Sequence, residues 1–341
     1  MGKLRIGILG TGAIVREFHL PVLLENPRVK VTAVGNLHQA SLTELAKGFG
    51  IKKTYTNFHL MAKDLDVDAV VIALPNYLHA SVAIEMLQNG KHVLCEKPMA
   101  MTFEEAQAMV ESAEYSNRKL MIAHVWRSDR EIRWLREVVN SGTLGSIFKV
   151  NAHSVLAGGG PSPTSWFVDP ELAGGGALAD IGIHTIDTIS FLFNDTLRPE
   201  TVWAQTGNHF GQANVEDTAT ALIKYDNGMV ATIEAGWHHV YSNNPHGALE
   251  VFGNNGYGRV FPSEMYSKVE GAWGWYRPST IQKKQHIDRE MYAAQTDHFL
   301  DCILNDQKPI CDGRQGMRAM AVLEAAYRSA RIGASVSIRQ N

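Results

Sequence analysis

Short apolar runs alternating with amphipathic stretches fill the first third of the chain. Leu4 to Leu9, Val29 to Val34 and Asp68 to Leu74 have strand length, and apolar positions recur at helical spacing between them. This is the pattern of a parallel sheet with helices on both faces. A helix follows Leu74 through Gln88 and closes at Asn89-Gly90, and Thr102-Phe103-Glu104-Glu105 is a capping box opening a helix that ends near Asn117. Leu120 to Val125 returns as a strand, and Pro21 is expected to kink or restart the first helix. Beyond Trp126 the pattern changes. A helix over Glu131 to Asn140 and a strand over Ile147 to Val155 lead into a Gly- and Pro-rich stretch, Ala157 to Gly176, that reads as a substrate lid or wall. Alternating segments at Thr201 to Thr206, Thr218 to Tyr225 and Met229 to Gly236, with a turn at Asp226-Asn227-Gly228, predict an antiparallel sheet. Helices at Tyr292 to Leu304 and Gly316 to Ala330 finish the chain. Two domains are expected, 1–124 binding a nucleotide and 125–341 serving substrate binding and oligomerisation.

Composition narrows the class. The 341 residues exceed what one core usually serves, and a 45% hydrophobic content is ordinary for a globular chain. With 32 basic and 35 acidic residues the formal charge is -3, which gives no electrostatic case for nucleic acid or an anionic membrane as partner. Small molecules are the expected ligands. Cys95, Cys302 and Cys311 lack metal-type spacing and cannot all pair within one chain, so a reducing, cytoplasmic compartment is expected. No signal-type region or bilayer-length apolar run is present, and Ile6 stands where myristoylation of Gly2 would want Ser or Thr.

Three places carry chemistry. The run Leu4 to Leu9 enters Gly10-Thr11-Gly12-Ala13-Ile14-Val15 and then a helix, the outline of a dinucleotide-binding turn. Gly10 permits the turn, and Gly12 lets a pyrophosphate approach the amides at the helix start. Val15 fills the third-glycine position. After the second strand, Asn36 and His38 stand near the expected adenosine ribose; no acid is present, but Asn36 can bond a hydroxyl and no fixed cation awaits a phosphate, which favours NAD over NADP. The second place is Lys97, in Gly90-Lys91-His92-Val93-Leu94-Cys95-Glu96-Lys97-Pro98, where a strand-like run ends on an acid, an amine and a proline. A lysine at a strand end is readily tuned for proton transfer, although most lysines are solvated surface groups. The third is Gly174-Gly175-Gly176 followed by Asp180, Gly182, His184 and Asp187. On an α-helix Asp180, His184 and Asp187 share a stripe, so a carboxylate can orient the imidazole. Zinc is the competing reading through Asp180, His184 and one of His238 and His239, but no compact ligand motif supports it, and no metal is expected.

Taken in order, Gly10-Thr11-Gly12, Pro75-Asn76 with His79, Glu96-Lys97-Pro98, and Gly174-Gly175-Gly176 with Asp180, Gly182 and His184 resemble the Gfo/Idh/MocA oxidoreductase family. Glu216-Asp217-Thr218 and the helix around Ala325 to Ala330 are weaker echoes. The resemblance spans nearly the whole chain. It implies an α/β fold: an N-terminal Rossmann parallel sheet plus a C-terminal α+β domain with an open, mostly antiparallel sheet. It also implies a homodimer or homotetramer and a nicotinamide cofactor. By that pattern Leu74, Pro75, Asn76, His79, Glu96 and Lys97 join the glycine turn in binding cofactor, while Lys97 and His184 handle protons and Asp180 places substrate. Trp126, Arg127 and Trp166 join Lys97, Asp180 and His184 in binding substrate. Phe167 stands where many members carry arginine. The implied reaction is hydride transfer between NAD(P) and a sugar, polyol or inositol-type alcohol or carbonyl. Rings at Trp126, Trp166, Trp237, Trp273, Trp275 and Tyr276 would suit the C–H face of a sugar or equally be core or interface residues, the commoner role for each aromatic alone, and Gly271 to Tyr276 reads as a mobile ligand-contacting loop or an oligomer contact. Two other readings use the same fold: NAD-dependent glycoside cleavage, and a non-catalytic nucleotide-binding regulator.

Overall fold

The computed structural model describes residues 2–156, 159–211, 213–239, 248–269, 271–279, 281 and 287–340. The chain divides into two units, residues 1–125 with 288–317, and residues 126–287 with 318–341. In the first, β1 (Leu4–Leu9), α1 (Leu20–Glu25), β2 (Val29–Gly35), α2 (Gln39–Phe49), β3 (Lys53–Tyr55), α3 (Phe58–Ala62), β4 (Ala69–Ile72), α4 (His79–Gln88), β5 (His92–Cys95), α5 (Phe103–Ser116) and β6 (Leu120–Ile122) alternate along the chain. The strands form a sheet in the order β3-β2-β1-β4-β5-β6, every pair parallel. Order reverses between β1 and β4, which is where open parallel sheets bind ligands at their strand ends. Ile6, Ile8, Ala69, Val71, Leu94 and Met121 are buried together, as a sheet covered on both faces requires. A π-helical turn, Val15–His19, precedes α1, and α1 starts afresh with Pro21 in its first turn, where a missing N–H costs nothing.

The second unit contains α6 (Arg130–Asn140), β7 (Ile147–Leu156), α7 (Pro170–Ala173), a π turn (Leu178–Gly182), α8 (Ile183–Leu192), β8 (Pro199–Gly207), β9 (Thr218–Tyr225), β10 (Val230–Trp237), β11 (Ala248–Gly253), β12 (Gly256–Val260), β13 (Glu264–Val269), β14 (Ala272–Tyr276) and β15 (Val336–Ser337). Its sheet runs β14-β13-β12-β11-β7-β10-β9-β8-β15, parallel only between β7 and β10. Ala219, Ala221 and Ile223 of β9 are buried, whereas Thr220, Leu222 and Lys224 between them are exposed. One face therefore makes core and the other is open. The stretch Gly271 to Tyr276 is not a loop: β14 is the edge strand of this sheet, exposed at all five positions. Ala157 and Gly158, which begin the expected lid, lie outside the described residues; the rest of that stretch includes a 3-10 turn, Trp166–Val168, and α7.

The domain division departs from a single cut after residue 124. The helix α9 (Arg289–Leu304) belongs to the first unit: Phe299 and Leu300 are buried in one cluster with Leu20, Leu23 and Val29. Tyr292 stacks on Phe18 at 4.5 Å, and Arg28 pairs with Asp297 at 2.5 Å and Asp301 at 2.7 Å. These partners lie more than 250 residues apart in sequence, beyond the reach of local periodicity. The last helix, α10 (Gly313–Ile332), starts in the first unit and continues in the second. No helix of the described residues is long and apolar enough to cross a membrane.

Candidate functional site

The first unit gathers the candidate cofactor-site side chains at the C-terminal ends of its strands. After β1, Gly10 has φ 114°, and a Cβ there would sit 2.1 Å from the Ala73 carbonyl oxygen, so only glycine fits. Around the exposed Gly12 a Cβ would meet nothing within 4 Å, which leaves the backbone at Gly12 and Ala13 open to a ligand, with Ile14 half-buried behind them. After β2, Asn36 donates its amide to Thr11 Oγ1 at 2.6 Å and Ser41 Oγ at 2.9 Å, so its carbonyl oxygen is the acceptor a ribose hydroxyl would meet. His38 is exposed beside it. Arg16 donates to the Thr11 carbonyl at 2.9 Å and pairs with Glu44 at 3.1 Å. An open glycine backbone at a helix start with a hydroxyl acceptor alongside fits a nicotinamide dinucleotide.

At the ends of β4 and β5 two buried imidazoles hold the chain. Leu74 and Asn76 are buried, and the His79 ring, 1% exposed, has Nδ1 2.8 Å from the Pro98 carbonyl oxygen and Nε2 2.8 Å from that of Leu74. Burial pushes the His79 pKa down against the pull of these carbonyls. The ring lies between the Leu74-Pro75 loop and the turn after Lys97, each of its nitrogens facing a backbone carbonyl, with the single N–H of the neutral ring donated to one of them. His79 thus shapes the ligand-binding loops and does not offer a nitrogen to cofactor. Glu96 Oε1 meets His19 Nε2 at 2.7 Å, and Glu96 Oε2 accepts the Lys97 backbone N–H at 3.2 Å. Burial alone would raise the Glu96 pKa, but the His19 hydrogen bond and the charges of His19 and Lys97 bring it below the usual carboxylate value. The Lys97-Pro98 peptide is cis.

In the second unit the glycine run is clamped from beneath. Glu216 accepts the Gly176 N–H through Oε2 at 2.9 Å and the Leu178 N–H through Oε1 at 3.0 Å, and the Tyr327 hydroxyl donates to Oε1 at 2.7 Å while accepting the Ala179 N–H at 3.2 Å. A Cβ on Gly175 would lie 2.0 Å from the Tyr327 hydroxyl, and one on Gly176 would lie 1.9 Å from the Glu216 carbonyl oxygen. Burial raises the Glu216 pKa despite these hydrogen bonds. The π turn then carries Asp180, whose Oδ2 accepts Trp237 Nε1–H at 3.1 Å, and α8 carries His184, stacked on Trp126 with ring centroids 5.3 Å apart. A Cβ on Gly182 would press on Leu178 at 2.8 Å and Ala235 at 3.0 Å, so this glycine serves contact with β10.

A model of the oxidoreductase family with an NAD-binding Rossmann fold matches residues 4–124, and a model of the Gfo/Idh/MocA C-terminal domain matches residues 132–259. The chain belongs to the Gfo/Idh/MocA family. Among its relatives, a protein named putative UDP-kanosamine synthase oxidoreductase subunit from Amycolatopsis mediterranei is 31% identical over 69% of either chain. The D-glucoside 3-dehydrogenase of Escherichia coli K12 is 25% identical over 98% of this chain and 97% of its own. Among solved structures, GenD2 from gentamicin A biosynthesis, in complex with NAD, superposes with a TM-score of 0.87 at 25% identity, covering 100% of this chain and 97% of that one.

Within this Gfo/Idh/MocA chain several expected roles move. Arg127 is fully buried: its guanidinium donates to both oxygens of Asp187 (2.7 and 2.8 Å) and both of Asp195 (2.8 and 3.0 Å), so it anchors α8 rather than reaching for substrate. Asp187 is drawn into that anchor, and the π turn Leu178–Gly182, which precedes both His184 and Asp187, moves the two together off the α-helical stripe expected to start at Asp180. A π turn inserts a residue and rotates the helix beyond it by roughly 100°. Trp126 and Trp237, 2% and 1% exposed, are supports for His184 and Asp180 and not open sugar platforms. Trp166 is half-buried and stacks on Phe167 at 3.9 Å. Sequence reasoning missed His19, Ser41, Glu216 as a clamp, Tyr327 and Trp237's donor role. Only Ser41, five residues after Asn36, had a local signal.

Proposed function

We propose that this chain is an NAD(P)-dependent dehydrogenase or reductase acting on a CH–OH or carbonyl group of a sugar, polyol or inositol-type substrate, with NAD preferred. The observation that carries this reading is the setting of Lys97: it follows β5, near the reversal of strand order, with the carboxylate before it held by His19 and the carbonyl after it held by His79. A lysine whose backbone is held on both sides suits presenting its ammonium to a substrate oxygen. When bound, the nicotinamide exchanges hydride with the substrate carbon. Gly10 to Ile14 and Asn36 would hold the dinucleotide. Lys97 polarises the substrate oxygen, His184 takes or returns its proton, and Asp180, oriented by Trp237, places a hydroxyl. The sugar-acting names of the relatives and the NAD in the GenD2 complex support the substrate class and the cofactor. The buried free thiols of Cys95, Cys302 and Cys311 favour a reducing, cytoplasmic setting, and the open face of the second sheet favours a homodimer or homotetramer.

The test offers a panel of sugars, inositols and their keto forms with NAD(H) or NADP(H), monitored by nicotinamide absorbance, for the wild type and Lys97→Met. Turnover in the wild type that falls by about 100-fold or more in Lys97→Met is expected. Undiminished turnover in the variant would remove Lys97 from the chemistry. Tight cofactor binding without turnover on any compound would overturn the dehydrogenase reading in favour of glycoside cleavage or regulation.

A further inference from the structure

No lysine or arginine lies within five residues of Asn36 in the sequence, yet the fold brings a cation to the same turn. Thr11 joins the two. Its hydroxyl accepts the Asn36 amide at 2.6 Å and donates to Ser41 Oγ at 3.2 Å, while its carbonyl accepts Arg16 Nε at 2.9 Å. A guanidinium is the side chain best suited to a phosphate, and here it is tied to the residue that also holds Asn36, whose carbonyl a ribose hydroxyl would meet. From α2, Glu44 pairs with it, Oε1 lying 3.1 Å from Nη1. Glu44 comes one turn after Ser41, so the two share the helix face that meets the glycine turn. Among the described residues Arg16 makes no other side-chain bond, which leaves Nη2 uncommitted. The side chains are 32% and 71% exposed, and an ion pair so open contributes little to stability. What it sets is local charge. Dinucleotide-binding folds that prefer NAD place an acid at the end of the second strand, and those that take NADP place an arginine near the 2′-phosphate. Asn36 occupies that strand end here, and both charged groups arrive from elsewhere, the arginine from the π turn Val15–His19 and the acid from the second turn of α2.

We propose that Glu44 is the cofactor-selectivity residue of this chain: it neutralises Arg16 and adds a carboxylate beside the ribose pocket, which disfavours the 2′-phosphate of NADP and leaves NAD the tighter ligand. The Thr11 carbonyl holds Arg16 independently of Glu44, so removal of the carboxylate leaves a cation in place and turns a neutral corner into a positive one. This inference rests on the reading of the first unit as a nicotinamide-dinucleotide site.

Nicotinamide fluorescence titrations of the full chain give the Kd of NADH and of NADPH without any substrate, and competition by 2′,5′-ADP against 5′-ADP isolates the contribution of the 2′-phosphate. The wild type should bind NADH about tenfold or more tightly than NADPH. Glu44→Gln should tighten NADPH and 2′,5′-ADP about tenfold while NADH and 5′-ADP stay within about twofold. That gain should shrink as salt is raised from about 50 to about 500 mM, because the charges involved are exposed. Glu44→Gln combined with Arg16→Gln restores a neutral corner and should return NADPH to within about threefold of its wild-type affinity. Glu44→Ala gives the same reading should the glutamine variant not fold. A ratio of NADH to NADPH affinity that the Glu44 variants leave unmoved, or a gain kept in full without Arg16, would overturn this inference alone. A folded wild type that binds neither dinucleotide would overturn the cofactor reading and this inference with it. Because binding needs no turnover, failure of the dehydrogenase reading on the sugar panel is a separate result.

Discussion

At the scale of single residues, burial decides more than identity does. Lys97, Arg127 and His79 are all polar residues that the sequence offers as ligand contacts, yet Arg127 and His79 are sealed among protein partners. His92, at the start of β5, shows how such sealing is measured. Its Nδ1 accepts the Lys119 backbone N–H at 3.0 Å, and burial, with Arg118 and Lys119 nearby, pushes its pKa down to about 4. An unfolded chain takes up a proton at this imidazole below pH about 6.5, whereas the native one resists until about 4. Native stability should therefore fall as pH drops through that window. Denaturant unfolding at pH 7.5 and 4.5 should show His92→Gln losing about 1–2 kcal/mol less than wild type between the two. Equal losses would mean that the imidazole protonates freely in the fold.

At the scale of elements, what was legible in the sequence is what local spacing encodes. The strand over Thr218 to Tyr225 matches β9 end to end because every second side chain is buried, and the turn at Gly10 and Gly12 is signalled within its own few residues. The edge strand β14 was not legible: it buries neither face, so no alternation marks it. The stripe of Asp180, His184 and Asp187 breaks because nothing in the sequence announces a π turn, and the clamp of Glu216 and Tyr327 joins residues 111 apart. That clamp explains why the run before α8 is glycine. Gly176→Ala would drive a methyl into the Glu216 carbonyl and should cost about 3 kcal/mol or more, with activity lost alongside. Gly159→Ala, where a Cβ meets nothing within 4 Å, should stay within about 0.5 kcal/mol by the same denaturation measurement.

At the scale of the whole molecule, the second sheet presents an unusual amount of apolar surface. Trp203 and Leu222 are register partners on β8 and β9 and stand 40% and 44% exposed; further along the sheet, Trp275 on β14 is 55% exposed. Patches of this kind mark association surfaces. If a second copy covers this face, Leu222→Arg sets like charges against each other, and light scattering should show wild-type assemblies of two or four 37.6 kDa chains giving way to monomers. A wild type that runs as a monomer would remove the assembly from the proposal.

The first unit is written in two instalments, residues 1–125 and then 288–317. During synthesis Leu20, Leu23 and Val29 emerge early, but Phe299 and Leu300, which complete their cluster, come some 270 residues later. At about 5–20 residues per second the nascent nucleotide unit waits on the order of 15–50 seconds with an apolar flank uncovered. All of the second unit's sheet except β15 is synthesised within that interval. The part of the protein that begins at the ribosome first is thus among the last to finish folding, and the α9 helix is the step that closes it.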